Sequence, residues 1–132
     1  MPQWALDYMS HWKDELHLSG WTIIPALSPR PGGDVGNAGY CVAQPDIVRA
    51  TLTFRDDITK EPHPDWEMTI IHEMVHVSMA GVDNMTRNII TPELGSAAQR
   101  LADKAYKAAV EPFVENMAIV LWRLHQDGLS NE

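Results

Sequence analysis

Between Trp66 and Ala80 nearly every position is apolar, and the exceptions include His72, Glu73 and His76. Asp65 stands where a helix cap belongs, Glu67 favours the positive end of a helix, and Gly81 offers a C-cap. A helix that is apolar on all sides has to lie in the middle of a domain, covered from several directions. A chain of 132 residues must find those covers elsewhere in its own length. The three polar residues are constrained as well, because two imidazoles and a carboxylate are costly to bury without partners.

The covers can be read in order. Pro2 suits a first helical position. Trp4, Tyr8, Trp12 and Leu16 then recur at spacing four with Ala5 and Met9 beside them, which predicts a core-facing helix ended by Ser19-Gly20. Trp21 to Leu27 is rich in β-branched and aromatic residues and predicts a strand. Ser28 to Gly39 holds the prolines and glycines of a surface loop. Tyr40 to Ala43 and Arg49 to Phe54 predict two more strands. In the second, Ala50, Leu52 and Phe54 alternate with Thr51 and Thr53, the pattern of a sheet covered on one side. Arg55 to Pro64 is charged and predicts a loop. Thr91-Pro92-Glu93 signals another helix start, with helical pattern to about Gln126. Pro112 should kink or divide that helix. The expectation is a single α+β domain over residues 1–132, with a sheet of three or four strands.

Composition excludes several roles. There are 18 acidic residues against 10 basic ones, for a net charge of -8. Nucleic-acid binding by counterion release needs clustered Lys and Arg, and an anionic membrane surface attracts basic segments, so neither partner is expected. The same surplus argues against a strongly acidic peptide partner. The single cysteine, Cys41, precludes an internal disulfide and reads as a small buried hydrophobe. No apolar run reaches the ~20 residues of a membrane span. A cytoplasmic monomer is expected.

His72-Glu73-Met74-Val75-His76 reads H-E-x-x-H. On a helix, residues four apart differ by about 40° in angle and ~6 Å along the axis, so both imidazoles face one way. Two such nitrogens can meet one Zn²⁺ at ~2.0 to 2.1 Å. Glu73, one position past the first histidine, can act on a water beside the metal as general base without ligating. A catalytic zinc needs a third protein ligand. The residues after His76 are Val77-Ser78-Met79-Ala80-Gly81-Val82-Asp83, so the three-histidine extension is absent. Glu111 and Glu115 share a face of the later helix at spacing four. One of them can ligate while the other orients a ligand histidine.

These residues carry a resemblance. Trp66 to His76, followed by Glu111-Pro112-Phe113-Val114-Glu115-Asn116-Met117-Ala118, resembles the zincins of the gluzincin type, and in particular the minimal single-domain minigluzincins and similar small phage and bacterial metallopeptidases. The resemblance implies a zincin-like fold: an N-terminal helix, a small sheet, an active-site helix and a glutamate helix. It implies one catalytic Zn²⁺ held by His72, His76 and Glu111, with Glu115 supporting a ligand histidine. The reverse assignment, Glu115 as ligand, stays open, and Pro112 directly after Glu111 departs from the usual pattern. It implies a sheet edge that binds an extended peptide by backbone pairing, with Arg49 to Phe54 the candidate strand near the site. A His or Tyr that stabilises the oxyanion is implied too. His63, Tyr40, Tyr106 and His125 are available for that, while His11 and His17 read as surface residues. The function implied is zinc-dependent peptide hydrolysis. The rival is a non-catalytic or latent zinc domain, with the 28–39 loop or the 129–132 tail over the cleft.

Overall fold

The computed structural model describes residues 1–34, 36–60 and 62–130. Val35 in the 28–39 loop, Glu61, and the last two residues of the tail lie outside them. Among the described residues the fold is α+β, with four α-helices and a three-stranded sheet. In chain order the elements are α1 (Gln3–Glu15), β1 (Thr22–Ser28), β2 (Gly39–Gln44), β3 (Arg49–Arg55), α2 (Pro64–Ser78), α3 (Ala80–Asn84) and α4 (Ser96–Ser130).

The sheet runs β1-β3-β2. β2 and β3 form an antiparallel hairpin in which Cys41 faces Leu52, and β1 lies parallel to β3 with Pro25 beside Leu52. The alternation read in β3 is realised: Ala50, Leu52 and Phe54 are fully buried, and the intervening threonines are partly exposed. Arg49 to Phe54 is therefore the central strand. Which strand forms the edge was not legible in the sequence. The edge beside the site is β2, which lies against α2.

α2 occupies the centre, as its composition demands. Ile70, Ile71, Glu73, Met74, Val75 and Val77 are all buried. The inner face of the sheet covers one side, and α1 and α4 cover the others, joining through Ala5, Met9, Trp12, Val114 and Ala118. Each fully buried large side chain in this cluster is worth ~1.5 to 3 kcal/mol of apolar transfer.

Several boundaries differ from the sequence reading for local reasons. α1 stops at Glu15, not at Ser19-Gly20, because His17 takes the left-handed conformation (φ 56). There the Leu18 N–H donates to the Lys13 carbonyl and the His17 N–H to the Asp14 carbonyl, closing the helix with Leu18 buried beneath it. α2 is capped by His63 rather than Asp65: the Asp65 N–H donates to His63 Nδ1 at 3.1 Å. Gly81 does not end the helical run, which continues as α3 and then as π-helical turns over Met85–Ile90. Thr91–Glu93 forms only a 3-10 turn, and α4 begins at Ser96. α4 then runs unbroken through Pro112, which divides nothing. No helix among the described residues is long and apolar enough to cross a membrane.

Candidate metal centre

α2 presents His72 and His76 on the side turned toward α4, their rings 5.0 Å apart between centroids. α4 crosses opposite and brings Glu111 between them. Glu111 Oε2 lies 3.5 Å from His72 Nε2, and Glu111 Oε1 lies 3.1 Å from His76 Nε2. One donor atom from each of the three residues lies within 4.8 Å of the other two, so the group could hold a metal ion. Ligands at ~2.0 to 2.1 Å around a tetrahedral zinc stand roughly 3.3 Å apart. Each histidine nitrogen stands near that spacing from one oxygen of Glu111, His72 from Oε2 and His76 from Oε1.

Glu115 is used differently. Its Oε2 lies 2.9 Å from His72 Nδ1, the ring nitrogen away from Glu111. With the Nδ1 proton donated to Glu115, the Nε2 lone pair of His72 is left facing Glu111 and His76. This is how a carboxylate holds a ligand histidine in its metal-binding tautomer. The i, i+4 spacing read in α4 thus places one acid at each nitrogen of the same imidazole. Burial depresses the His76 imidazole below its ordinary range, opposed in part by the Glu111 charge. A neutral imidazole is the form that ligates.

Glu73 is 6% exposed. Its carboxyl is pushed up to about 8, first by burial and then by the negative charge of Glu111. Both effects disfavour the ionised form, and a cation in the adjoining donor set would oppose both. Its immediate neighbour is backbone. A Cβ on Gly39 would stand 3.0 Å from Glu73 Cγ and 3.2 Å from Oε1, so a side chain there would crowd the acid and make it shift. Nothing in the sequence singled out Gly39, which closes a glycine-rich loop and borders Tyr40 like any strand entry.

The donor set opens onto two hollows. The larger, of about 980 Å³, runs from β2 and Glu73 along α3 and the first half of α4. The smaller, of about 420 Å³, lies toward Thr69, Glu115 and Ile119. Both are bordered by Gly39, His72 and Glu73. The four groups considered for oxyanion contact separate clearly. His63 caps α2 and borders neither hollow among the residues described. His125 packs in an aromatic cluster with Tyr8, His11 and Trp12, its ring 4.7 Å from that of His11. His11 is accordingly packed against the Trp12 and His125 rings rather than free at the surface. Tyr40 borders the larger hollow, with its ring laid against Gly32. Tyr106 borders it too and donates its hydroxyl to Asp83 Oδ1. Cys41 also faces the larger hollow, and its thiol is pushed up to about 12 by burial and then by Glu73 and Asp83.

No protein family, no curated protein and no solved structure matches this chain.

Proposed function

We propose that the chain is a zinc-dependent metallopeptidase acting within extended peptides. The observation that carries this reading is the donor set itself. Two imidazole nitrogens from one helix turn and a carboxylate from a second helix converge to within 4.8 Å of one another, with a buried carboxyl one residue along from the first histidine. Two nitrogens and one oxygen are the donors a catalytic zinc takes, with a position left for water. Bound between His72, His76 and Glu111, the ion would supply charge that acidifies an attacking water, polarises a peptide carbonyl and favours ionised Glu73.

The residues of the chain supply the rest. Glu115 fixes the orientation of His72. Glu73 accepts the proton of the attacking water and returns it to the leaving amine. Among the described residues β2 pairs on one side only, and as the edge strand bordering the larger hollow it offers backbone groups to an extended substrate. Both hollows border Gly39, His72 and Glu73, and space on two sides of the site suits a chain that continues past it in both directions. This favours internal cleavage over trimming of ends.

Protein purified without chelator should carry about one zinc per chain by elemental analysis. Glu73→Gln should keep that zinc and lose roughly 10²- to 10⁴-fold in peptide hydrolysis. Metal-free protein would remove the site. Hydrolysis undiminished in Glu73→Gln would remove Glu73 from its role. Zinc retained without any hydrolysis by the native chain identifies the non-catalytic zinc domain instead.

A further inference from the structure

The larger hollow extends well beyond the donor set, and basic side chains gather at its far end. Arg87, Arg100 and Lys107 border it together with Asp83 and Asp103. Both carboxylates are engaged. Asp103 Oδ1 takes Arg87 Nε at 2.9 Å and its Oδ2 takes Lys107 Nζ at 3.2 Å, while Asp83 accepts the Tyr106 hydroxyl. Among the described residues, the Arg100 guanidinium has no hydrogen bond and no ion pair. Glu73 and Glu111 stand at the donor-set end; away from it Arg87 and Lys107 are paired with Asp103, which leaves Arg100 as the cation without a carboxylate among the described residues.

We propose that Arg100 captures a single carboxylate carried by the substrate peptide, and so sets a preference for an acidic group at a fixed distance from the bond cleaved. This rests on the metallopeptidase reading for the ligand being a peptide. A guanidinium presents paired N–H groups in one plane, the geometry that meets a carboxylate on two oxygens. One unpaired guanidinium matches a monoanion better than a phosphate dianion. The placement follows from the helix. Arg100, Lys107 and Glu111 are spaced seven and four residues apart, so they fall on one face of α4. At 1.5 Å per residue, Arg100 lies about 16 Å from Glu111 along the axis, and an extended chain covers that in about five residues. The net negative charge does not oppose this. Its distributed field is screened over ~8 Å at physiological salt, whereas a direct ion pair is closer than that. One carboxylate is favoured; a run of them is not.

The carboxylate can come from a Glu side chain or from the C-terminus of the peptide, and the test separates the two. C-amidated peptides carrying one Glu, Gln or Lys at three to seven residues on either side of a cleavable bond are compared with a free-carboxylate peptide of matching length. Binding is measured calorimetrically on Glu73→Gln protein, and cleavage on the native chain. The expected result is about five-fold tighter binding of Glu over Gln near position five, lost in 0.5 M salt. Arg100→Gln should abolish the difference, and Arg100→Glu should reverse it in favour of Lys. A preference confined to the free-carboxylate peptide assigns the site to chain termini. Equal binding of Glu and Gln peptides, no peptide binding, or equal weakening of both by Arg100→Glu overturns the proposal. Cleavage without acidic preference sinks this inference and leaves the peptidase. Charge discrimination without cleavage sinks the peptidase and leaves the anion anchor.

Discussion

Two side chains test how far the centre depends on single contacts. Glu115 touches only the far nitrogen of His72, so Glu115→Ala leaves all three donors in place and removes only their orientation. Losses of this kind cost about 10- to 100-fold in metal affinity. Glu115→Gln, which keeps an acceptor, should lose less. Competition with a chromophoric chelator measures both, and unchanged affinity in Glu115→Ala would show that His72 is held by packing alone. Cys41 reports on the environment of the cleft. The thiolate is the reacting form, and a thiol pushed up to about 12 stays neutral at pH 8. Alkylation by iodoacetamide should run roughly 10³-fold slower than for a free cysteine of ordinary pKa ~8.5. It should still climb tenfold per pH unit between pH 9 and 10, where a free thiol levels off. A plateau near pH 9 would refute the shift. At this scale the motif was legible because H-E-x-x-H needs only helical spacing. Gly39 was not, because its importance lies in the close packing of its backbone against Glu73, between elements distant in sequence.

The elements were read more easily than their ends. α1, the three strands and α2 follow from periodicities that burial enforces, and all five lie within a few residues of where the pattern puts them. The ends turn on local competition. His17 takes the left-handed position at which glycine was expected three residues later, because burying Leu18 there closes α1 sooner. His63 displaces Asp65 as the cap of α2 because its ring nitrogen reaches the Asp65 N–H. Pro112 is the clearest case. A proline in a helix interior removes one backbone hydrogen bond and crowds the carbonyl four residues back, at a cost of ~3 kcal/mol. α4 nevertheless continues through it, held by the buried Val114 and Ala118 just beyond. Since Pro112 is itself exposed, Pro112→Ala should restore the bond to the Ala108 carbonyl without disturbing the core. A gain of about 1 to 3 kcal/mol in urea unfolding is expected. A loss would mean that the proline shapes α4 in a way the donor set requires.

The whole molecule is tied together at the centre, since the donor set joins α2 to α4 across 35 residues of sequence between His76 and Glu111. An ion bound there and not by the unfolded chain stabilises the fold by mass action, about 2.7 kcal/mol at a hundred-fold excess over Kd. For a chain of this size that corresponds to roughly 8 to 10 °C in Tm. Chelator should lower the thermal midpoint by that amount, and added zinc should restore it; a midpoint indifferent to both would count against a metal bridging the helices. By itself the sequence determined that α2 must be central, that β3 shows one face to the core, and that His72, Glu73 and His76 lie on neighbouring faces of one helix. These follow from periodicity and from the cost of burying polar groups, which are properties of neighbouring residues. Only the tertiary structure decided that Glu111 meets both Nε2 atoms while Glu115 takes Nδ1, that β2 is the edge at the cleft, and that Arg100 stands unpaired among the described residues at the hollow's far end. Each of those depends on how one element lies across another. Helix crossing and strand order come from the packing of the entire core, which no local stretch of sequence encodes.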